Sequence, residues 1–238
     1  MITVDFNRIN ISAGSRILDI GCGSGRHTCR AYEIEGVRVI GMDASFEDVC
    51  EARGRLLYHE AIGAHGGGRW AVAAGDITNL PFPDASFDLL ICAEVMEHIP
   101  DDSRAAQELM RVVKPGGRLV VSVPRYFPEK ICWKLSSQYY SANGGHVRIY
   151  RRKRIRSLFE NAGARLWAAH FAHSLHTPYW WLKCWVGPTR QDSNAVNRYH
   201  QFLTWDIMQK PRITRLMDML LNPVLGKSLV LYFQKDQT

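Results

Sequence analysis

Residues 17–28 read ILDIGCGSGRHT, an apolar run carrying one carboxylate, Asp19, that breaks into glycines at every second position. Arg16–Ile20 (RILDI) has the length and apolar density of a strand buried on both faces, and Arg26–Glu35 has helical length. Between them, Asp19, Gly21, Gly23 and Gly25 spell D-x-G-x-G-x-G. Glycine lets backbone reach positive φ and approach a ligand closely. In open α/β sheets ligands bind outside the carboxyl ends of strands, where such a turn sits. An ordinary tight turn would also use glycine, so the spacing must discriminate. A dinucleotide fingerprint, G-x-G-x-x-G, needs its third glycine at position 26, and this chain has Arg26 there.

Outward from that turn, strands alternate with helices. Arg38–Met42, Arg69–Ala74, Phe87–Ala93 and Gly117–Val123 read as further strands, with Ser45–Ala64 and Ser103–Val113 as helices. Lys114-Pro115-Gly116-Gly117 stops the last helix and turns into the fifth strand. The first 125 residues therefore predict a parallel, doubly wound α/β sheet with right-handed crossovers. The remainder shows no clear strand over 126–145, a helix over Tyr150–Ala162 closed by Gly163, and strands at Arg165–Phe171 and Ser228–Gln234. About 55 residues separate those two strands, against the usual 2–6. Residues 172–227 are thus expected to form a mostly helical insertion folded over the sheet, within one domain spanning 1–238.

Three carboxylates end three successive strands. Asp19, at the mouth of the glycine loop, disfavours a pyrophosphate and suits an ammonium or sulfonium cation. Asp43 lies 22 residues after Gly21, where an acid can accept both hydroxyls of a ribose. Asp76, in Gly75-Asp76-Ile77, can accept an adenine amino group. Each alone reads as a cap or turn residue; three beside one glycine loop point to a ligand.

The runs ILDIGCGSGRHT, VIGMDAS, AAGDITNLPFPDASFDLLICAEVMEHIPD and LMRVVKPGGRLVVSVP resemble the class I S-adenosylmethionine-dependent methyltransferases, especially the group with the ubiquinone and menaquinone biosynthesis enzymes. The likeness is strong over about residues 5–125 and looser over 145–171. It implies S-adenosylmethionine as cofactor. Asp19, Gly21, Cys22, Gly23 and Gly25 would lie along the methionine, Asp43 and Ala44 at the ribose, Asp76 and Ile77 at the adenine, and Ala93 and Glu94 near the methyl group. The resemblance also implies a Rossmann-like, seven-stranded sheet, mostly parallel with an antiparallel last strand.

Methyl transfer from a sulfonium needs alignment, proximity and exclusion of water, because the donor is already activated. A base is required only where the acceptor must lose a proton. His98 and His146 are the candidates, with His27 a weaker one. Glu94-x-x-Glu97-His98 places two carboxylates and an imidazole on one face of a helix, a set able to hold a divalent cation. The run resembles that of ubiquinone-pathway and small-RNA O-methyltransferases that use a metal, and His146 in GGHVRIY resembles a further histidine of theirs. The preferred alternative has Glu97-His98 capping a helix and lining the acceptor pocket.

About 15 residues precede the first strand, so an acceptor-side lid is expected from 126–145 and from the insertion. The insertion holds Tyr179, Trp180, Trp181, Trp185, Phe202, Trp205, Met208, Met217 and Met219, which suit core packing, an apolar acceptor pocket or a membrane headgroup boundary. The basic run Arg148, Arg151, Arg152, Lys153, Arg154 and Arg156 opens the helix after His146. Its residues cannot share one helical surface, and no RNA-binding module accompanies them, so nucleic acid is not the expected partner. An anionic membrane or small molecule would account for the charge. The formal charge of +7 divides into −4 over residues 1–125 and +11 over 126–238. Six scattered cysteines without a C-x-x-C pair suit a reducing compartment. MITVDFNRIN lacks a secretory pattern and no long apolar run follows, so a cytoplasmic place, with possible peripheral membrane contact, is expected. The sequence therefore predicts methyl transfer to a small, hydrophobic or lipid-like acceptor. RNA methylation, a nicotinamide-dependent oxidoreductase and a non-catalytic binding protein are the alternatives.

Overall fold

A computed structural model describes residues 1–141 and 145–237. The seven-stranded sheet has the order β3-β2-β1-β4-β5-β7-β6. Its strands are β1 (Arg16–Ile20), β2 (Arg38–Asp43), β3 (Arg69–Ala74), β4 (Phe87–Ala93), β5 (Val113–Pro124), β6 (Ala164–Ala172) and β7 (Ser228–Lys235). β1 to β5 pair in parallel, and β7 runs antiparallel to both neighbours, β5 and β6. β1 is central because its alternating residues feed both sides of the sheet. Leu18 and Ile20 enter one core with Leu119, Val121 and Phe233, while Ile17 enters the other with Val39, Ile91 and Tyr232.

Helices cover both faces: α1 (Arg26–Tyr32), α2 (Phe46–Ala61), α3 (Asp102–Val112), α4 (Tyr126–Leu135), α5 (Ser137–Ser141) and α6 (Arg152–Glu160). Ser45 caps α2 by accepting from Asp48 N at 3.2 Å, and Asp101 caps α3 by accepting from Arg104 N at 2.9 Å. The expected helical insertion folds as α7 (His176–Val186), α8 (Asn194–Gln209) and α9 (Arg212–Leu225). Its α7 packs on α4, where Trp181 Nε1 donates to the Pro128 carbonyl at 3.1 Å.

Three expectations change. Lys114-Pro115-Gly116-Gly117 lies inside β5 rather than before it; the ladder to β4 shifts register there, between Phe87 and Leu89. The basic run is mostly structural: Arg148 and Arg154 converge on Asp102 at 2.7 and 3.1 Å, and Arg156 pairs with Glu160 at 2.8 Å. Glu94 and Glu97 do not share a helix face, because only a single 3-10 turn, Met96–His98, forms there.

Candidate active site

The glycine loop leaves the carboxyl end of β1 and is shaped by what surrounds it. Gly21 has φ +66°, and a Cβ built there would meet Val95 Cγ2 at 2.2 Å. Gly23 has φ +48°, and a Cβ would find nothing within 4 Å, because this backbone borders a cavity. Asp43, at the end of β2, holds the loop: its Oδ2 accepts from Gly23 N at 2.7 Å and its Oδ1 from Ser45 N at 2.9 Å. Each carboxylate oxygen keeps a second lone pair for a ligand hydroxyl. At the end of β3, Asp76 Oδ1 accepts from Thr78 N at 2.8 Å.

These carboxyl-terminal strand ends open into a cavity of about 770 Å³, within the usual range of a small-molecule site. Gly21, Cys22, Gly23, Asp43, Ala44, Asp76, Ile77, Ala93, Glu94 and His98 all line it. Asp19, Gly25 and His146 do not. Asp19 is 1% exposed and lies beneath the loop, accepting from Thr28 Oγ1 at 2.6 Å. Burial pushes its pKa up to about 7, with Thr28 opposing. It acts on a ligand through the loop it supports, not by facing a sulfonium as expected. Gly25 packs on α2, where a Cβ would meet that of Ala52 at 2.9 Å. His27 reaches the cavity, but its Nε2 accepts from Thr3 N at 3.0 Å and burial lowers its pKa to about 4, so its lone pair is spent on an N-terminal clip.

Sequence reasoning missed Arg26, Val95, His173, Lys227 and Ser228 as lining residues, whereas Trp180, one of the insertion aromatics expected to suit an acceptor pocket, does reach the cavity. Because β7 is antiparallel, its first residue, Ser228, arrives opposite Pro124, the last residue of β5. That places Lys227 at the mouth, its ammonium 5.2 Å from the Trp180 ring centroid. The signal was available in the residues preceding an antiparallel last strand.

Beside the cavity, one polar cluster is built from distant segments. His98 Nδ1 is 3.3 Å from the Gly145 carbonyl, and His146 Nδ1 is 2.5 Å from Glu129 Oε1. Both acceptors lack a proton, so each ring donates from Nδ1. The two rings meet edge to face with centroids 4.8 Å apart. Glu129 is 2% exposed and also accepts from Trp133 Nε1 at 3.1 Å. Glu97 is 1% exposed, and neither carboxylate oxygen has a hydrogen-bond partner among the described residues. Burial, then the Glu94 charge, hold its carboxyl well above the usual range. Glu97, His98 and His146 offer ligand atoms within 4.8 Å of one another, so they could hold a cation. Glu94 is diverted from that set: at φ +58° its Oε1 accepts from Ser122 Oγ at 2.8 Å. Glu97 does not cap the following helix either, since Asp101 does.

A family model described as a methyltransferase domain matches residues 4–169. The chain belongs to that family. Relatives of this methyltransferase include the O-methyltransferase resE of Aspergillus sclerotiorum, 36% identical over 115 residues, which are 48% of this chain and 42% of resE. The sterol 24-C-methyltransferase of Eremothecium gossypii is 29% identical over 143 residues, 60% of this chain and 35% of that enzyme. The chain thus spans about two fifths of the length of the first curated relatives it matches. Among solved structures, a SAM-dependent methyltransferase from Methanosarcina mazei shares the fold with TM-score 0.62 and 17% identity, covering 96% of this chain and 95% of that one. The expected class I, S-adenosylmethionine-dependent methyltransferase fold, with its antiparallel last strand, is therefore borne out. The narrower likeness to quinone-pathway enzymes rests on the sequence motifs alone.

Proposed function

We propose that this methyltransferase moves the methyl group of S-adenosylmethionine to a small, apolar acceptor, and that both occupy the one cavity. The observation that carries the reading is the cavity's mixed lining: Gly23, Asp43 and Asp76 at the strand ends, with His98 and Trp180 on the same space. The open space over Gly23 and the spare lone pairs of Asp43 fit a nucleoside-bearing cofactor. Bound S-adenosylmethionine supplies a methyl group on a positive sulfur, which leaves as a neutral thioether. Gly21 to Gly23 would cradle the methionine portion, Asp43 would accept the ribose hydroxyls, and Asp76 with Ile77 would hold the adenine. Trp180 and Val95 would exclude water and align the acceptor. Where the acceptor is a hydroxyl, its proton would pass to His98, which lines the cavity, with the Glu129-bound His146 ring behind it.

The matched relatives include a sterol 24-C-methyltransferase, which supports an apolar acceptor, and an O-methyltransferase, which leaves the acceptor atom open. Heating the protein with S-adenosylhomocysteine or with NAD tests the cofactor: the first is expected to raise the melting temperature and the second to leave it unchanged, and the reverse would remove the reading. Mass spectrometry of cell extract incubated with isotope-labelled cofactor then identifies the acceptor.

A second reading is favoured by the two oxygens of Glu97, which have no hydrogen-bond partner among the described residues. A divalent cation held by Glu97, His98 and His146 would polarise an acceptor oxygen, and Glu129 would orient His146 as carboxylates behind metal-bound histidines do. Metal content and activity of protein purified without chelator separate the two readings.

A further inference from the structure

Helix α9 is built inside out. Its polar residues face the body: Thr214 is buried, Asp218 Oδ1 accepts from Ser174 Oγ at 2.6 Å and Leu175 N at 3.2 Å, and Asn222 Oδ1 accepts from Ser174 N at 2.9 Å. The opposite side carries Ile213, Leu216, Met217, Leu220 and Val224, spaced i, i+3, i+4, i+7 and i+11, and all are exposed. A helix that served only to cover the sheet would turn the other way. Burying this apolar stripe would be favourable, and the fold instead spends hydrogen bonds to hold it outward.

The charge of this segment is one-sided. From Ser193 to Lys227 the carboxylates are Asp206 and Asp218. Asp206 is 2% exposed and paired with Arg215 at 2.7 Å, and Asp218 is turned to Ser174. Exposed Arg198, Lys210 and Arg212 therefore give this segment a basic character, and exposed Trp205 and Met208 of α8 add to its apolar surface. A two-fold pairing with a second copy would set these cations against their own counterparts. A bilayer with anionic headgroups matches both the apolar stripe and the basic segment that carries it. At 14 residues α9 is roughly 21 Å long, and no helix among the described residues is long and apolar enough to cross a membrane.

We propose that the α8–α9 hairpin docks on an anionic lipid surface, with α9 in the interface plane, and delivers a lipid-soluble acceptor to the cavity. The delivery step rests on the methyl-transfer reading; the docking does not. The end of α9 is tied to the cavity wall, since the Leu225 carbonyl accepts from Thr177 Oγ1 at 2.6 Å and Lys227, two residues on, lines the mouth.

Flotation of the full chain with phosphatidylcholine vesicles, with and without phosphatidylserine, tests the docking. Binding is expected only with phosphatidylserine, weakening several-fold as salt is raised. The pair Leu216→Glu and Leu220→Glu is expected to lose at least about tenfold in vesicle affinity while keeping the melting shift with S-adenosylhomocysteine. Arg212→Glu, which leaves the stripe intact, should weaken binding and reduce its salt dependence. Absence of wild-type binding at low salt overturns the proposal, as does a dimer in light scattering that the leucine pair converts to monomer. A lost S-adenosylhomocysteine shift in wild type with vesicle binding retained would remove the methyl-transfer reading and leave the docking standing.

Discussion

Gly21 and Gly23 lie two residues apart in one loop, both at positive φ, yet alanine should act on them differently. Forcing an L-residue into the left-handed region costs about 1–2 kcal/mol at either site. At Gly21 the new methyl would also sit 2.2 Å from Val95 Cγ2, so Val95 must move; overpacking of that kind adds about 1–3 kcal/mol. Gly21→Ala should therefore destabilise by about 2–5 kcal/mol and Gly23→Ala by about 1–2 kcal/mol. Affinity should rank the other way once stability is allowed for. The Gly23 methyl points into space that the cofactor backbone needs, and a loss of at least about tenfold, 1.4 kcal/mol, is expected for S-adenosylhomocysteine. Val95→Ala opens the crowded spot, so in the double variant with Gly21→Ala the two changes should couple favourably by about 1–2 kcal/mol. Urea unfolding followed by circular dichroism gives the stabilities, and calorimetric titration gives the affinities. Equal destabilisation by the two alanines, or no coupling with Val95→Ala, would refute the argument.

Asp19 has its pKa raised from 3.8 to about 7, so the folded state binds the extra proton between those values. Its contribution is full below about pH 4 and lost as pH rises through about 7, and Asp19→Asn should flatten the stability profile by up to about 4 kcal/mol across that window; an unchanged profile in urea unfolding would contradict the burial argument. Asp43→Ala should weaken S-adenosylhomocysteine binding about 10–100-fold, with Asp43→Asn milder because one oxygen can still receive a backbone N–H; calorimetry decides, and equal affinities would show that Asp43 only shapes the loop. His98→Ala should lower methyl transfer to a hydroxyl acceptor about 10²–10⁴-fold, and His146→Ala should lower it less, without changing S-adenosylhomocysteine binding. Protein stripped of metal and fully active would remove the cation reading of Glu97, whereas restoration by added magnesium or manganese would support it.

How much of this was legible in the sequence follows from what fixes each part. β1 and β4 begin and end at the residues the sequence reading gave because apolar runs buried on both faces declare themselves without tertiary information, and the half-exposed edge strand β3 does so as an apolar run bounded by Gly68 and Gly75. The loop motif and Asp43 were legible for the same local reason. Glu94, Glu97 and His98 were misplaced because i, i+3, i+4 spacing presupposes a helix, and Glu94 at φ +58° breaks away toward Ser122 before one can start. Asp19 was read as a ligand-facing charge since sequence gives no side-chain direction; the Thr28 hydroxyl, nine residues on, draws it under the loop. Trp180 was legible as one of the insertion's aromatics, whereas His173 and Lys227 reach the cavity because β6 ends and β7 begins there, a tertiary arrangement rather than a local pattern.

The same structure sharpens the division of charge between the two halves of the chain. Part of the positive half is paired within the chain. Arg148 and Arg154 meet at Asp102, Arg156 and Arg190 have carboxylate partners, and Lys235 donates to the carbonyls of Met110 and Val113 at 2.6 and 2.8 Å. Cations that hold elements together say little about a partner, since their fields end largely on the groups they bind. Arg198, Lys210 and Arg212 differ: they are exposed on a segment whose own carboxylates, Asp206 and Asp218, are turned to internal partners, and Arg212 shares its helix with an apolar stripe that the fold holds outward. Charge alone would fit any polyanion, and an apolar stripe alone would fit any greasy partner. A surface that offers both on one hairpin, joined at its end to the mouth of the cavity, selects a partner that is anionic at its boundary and apolar just beneath it.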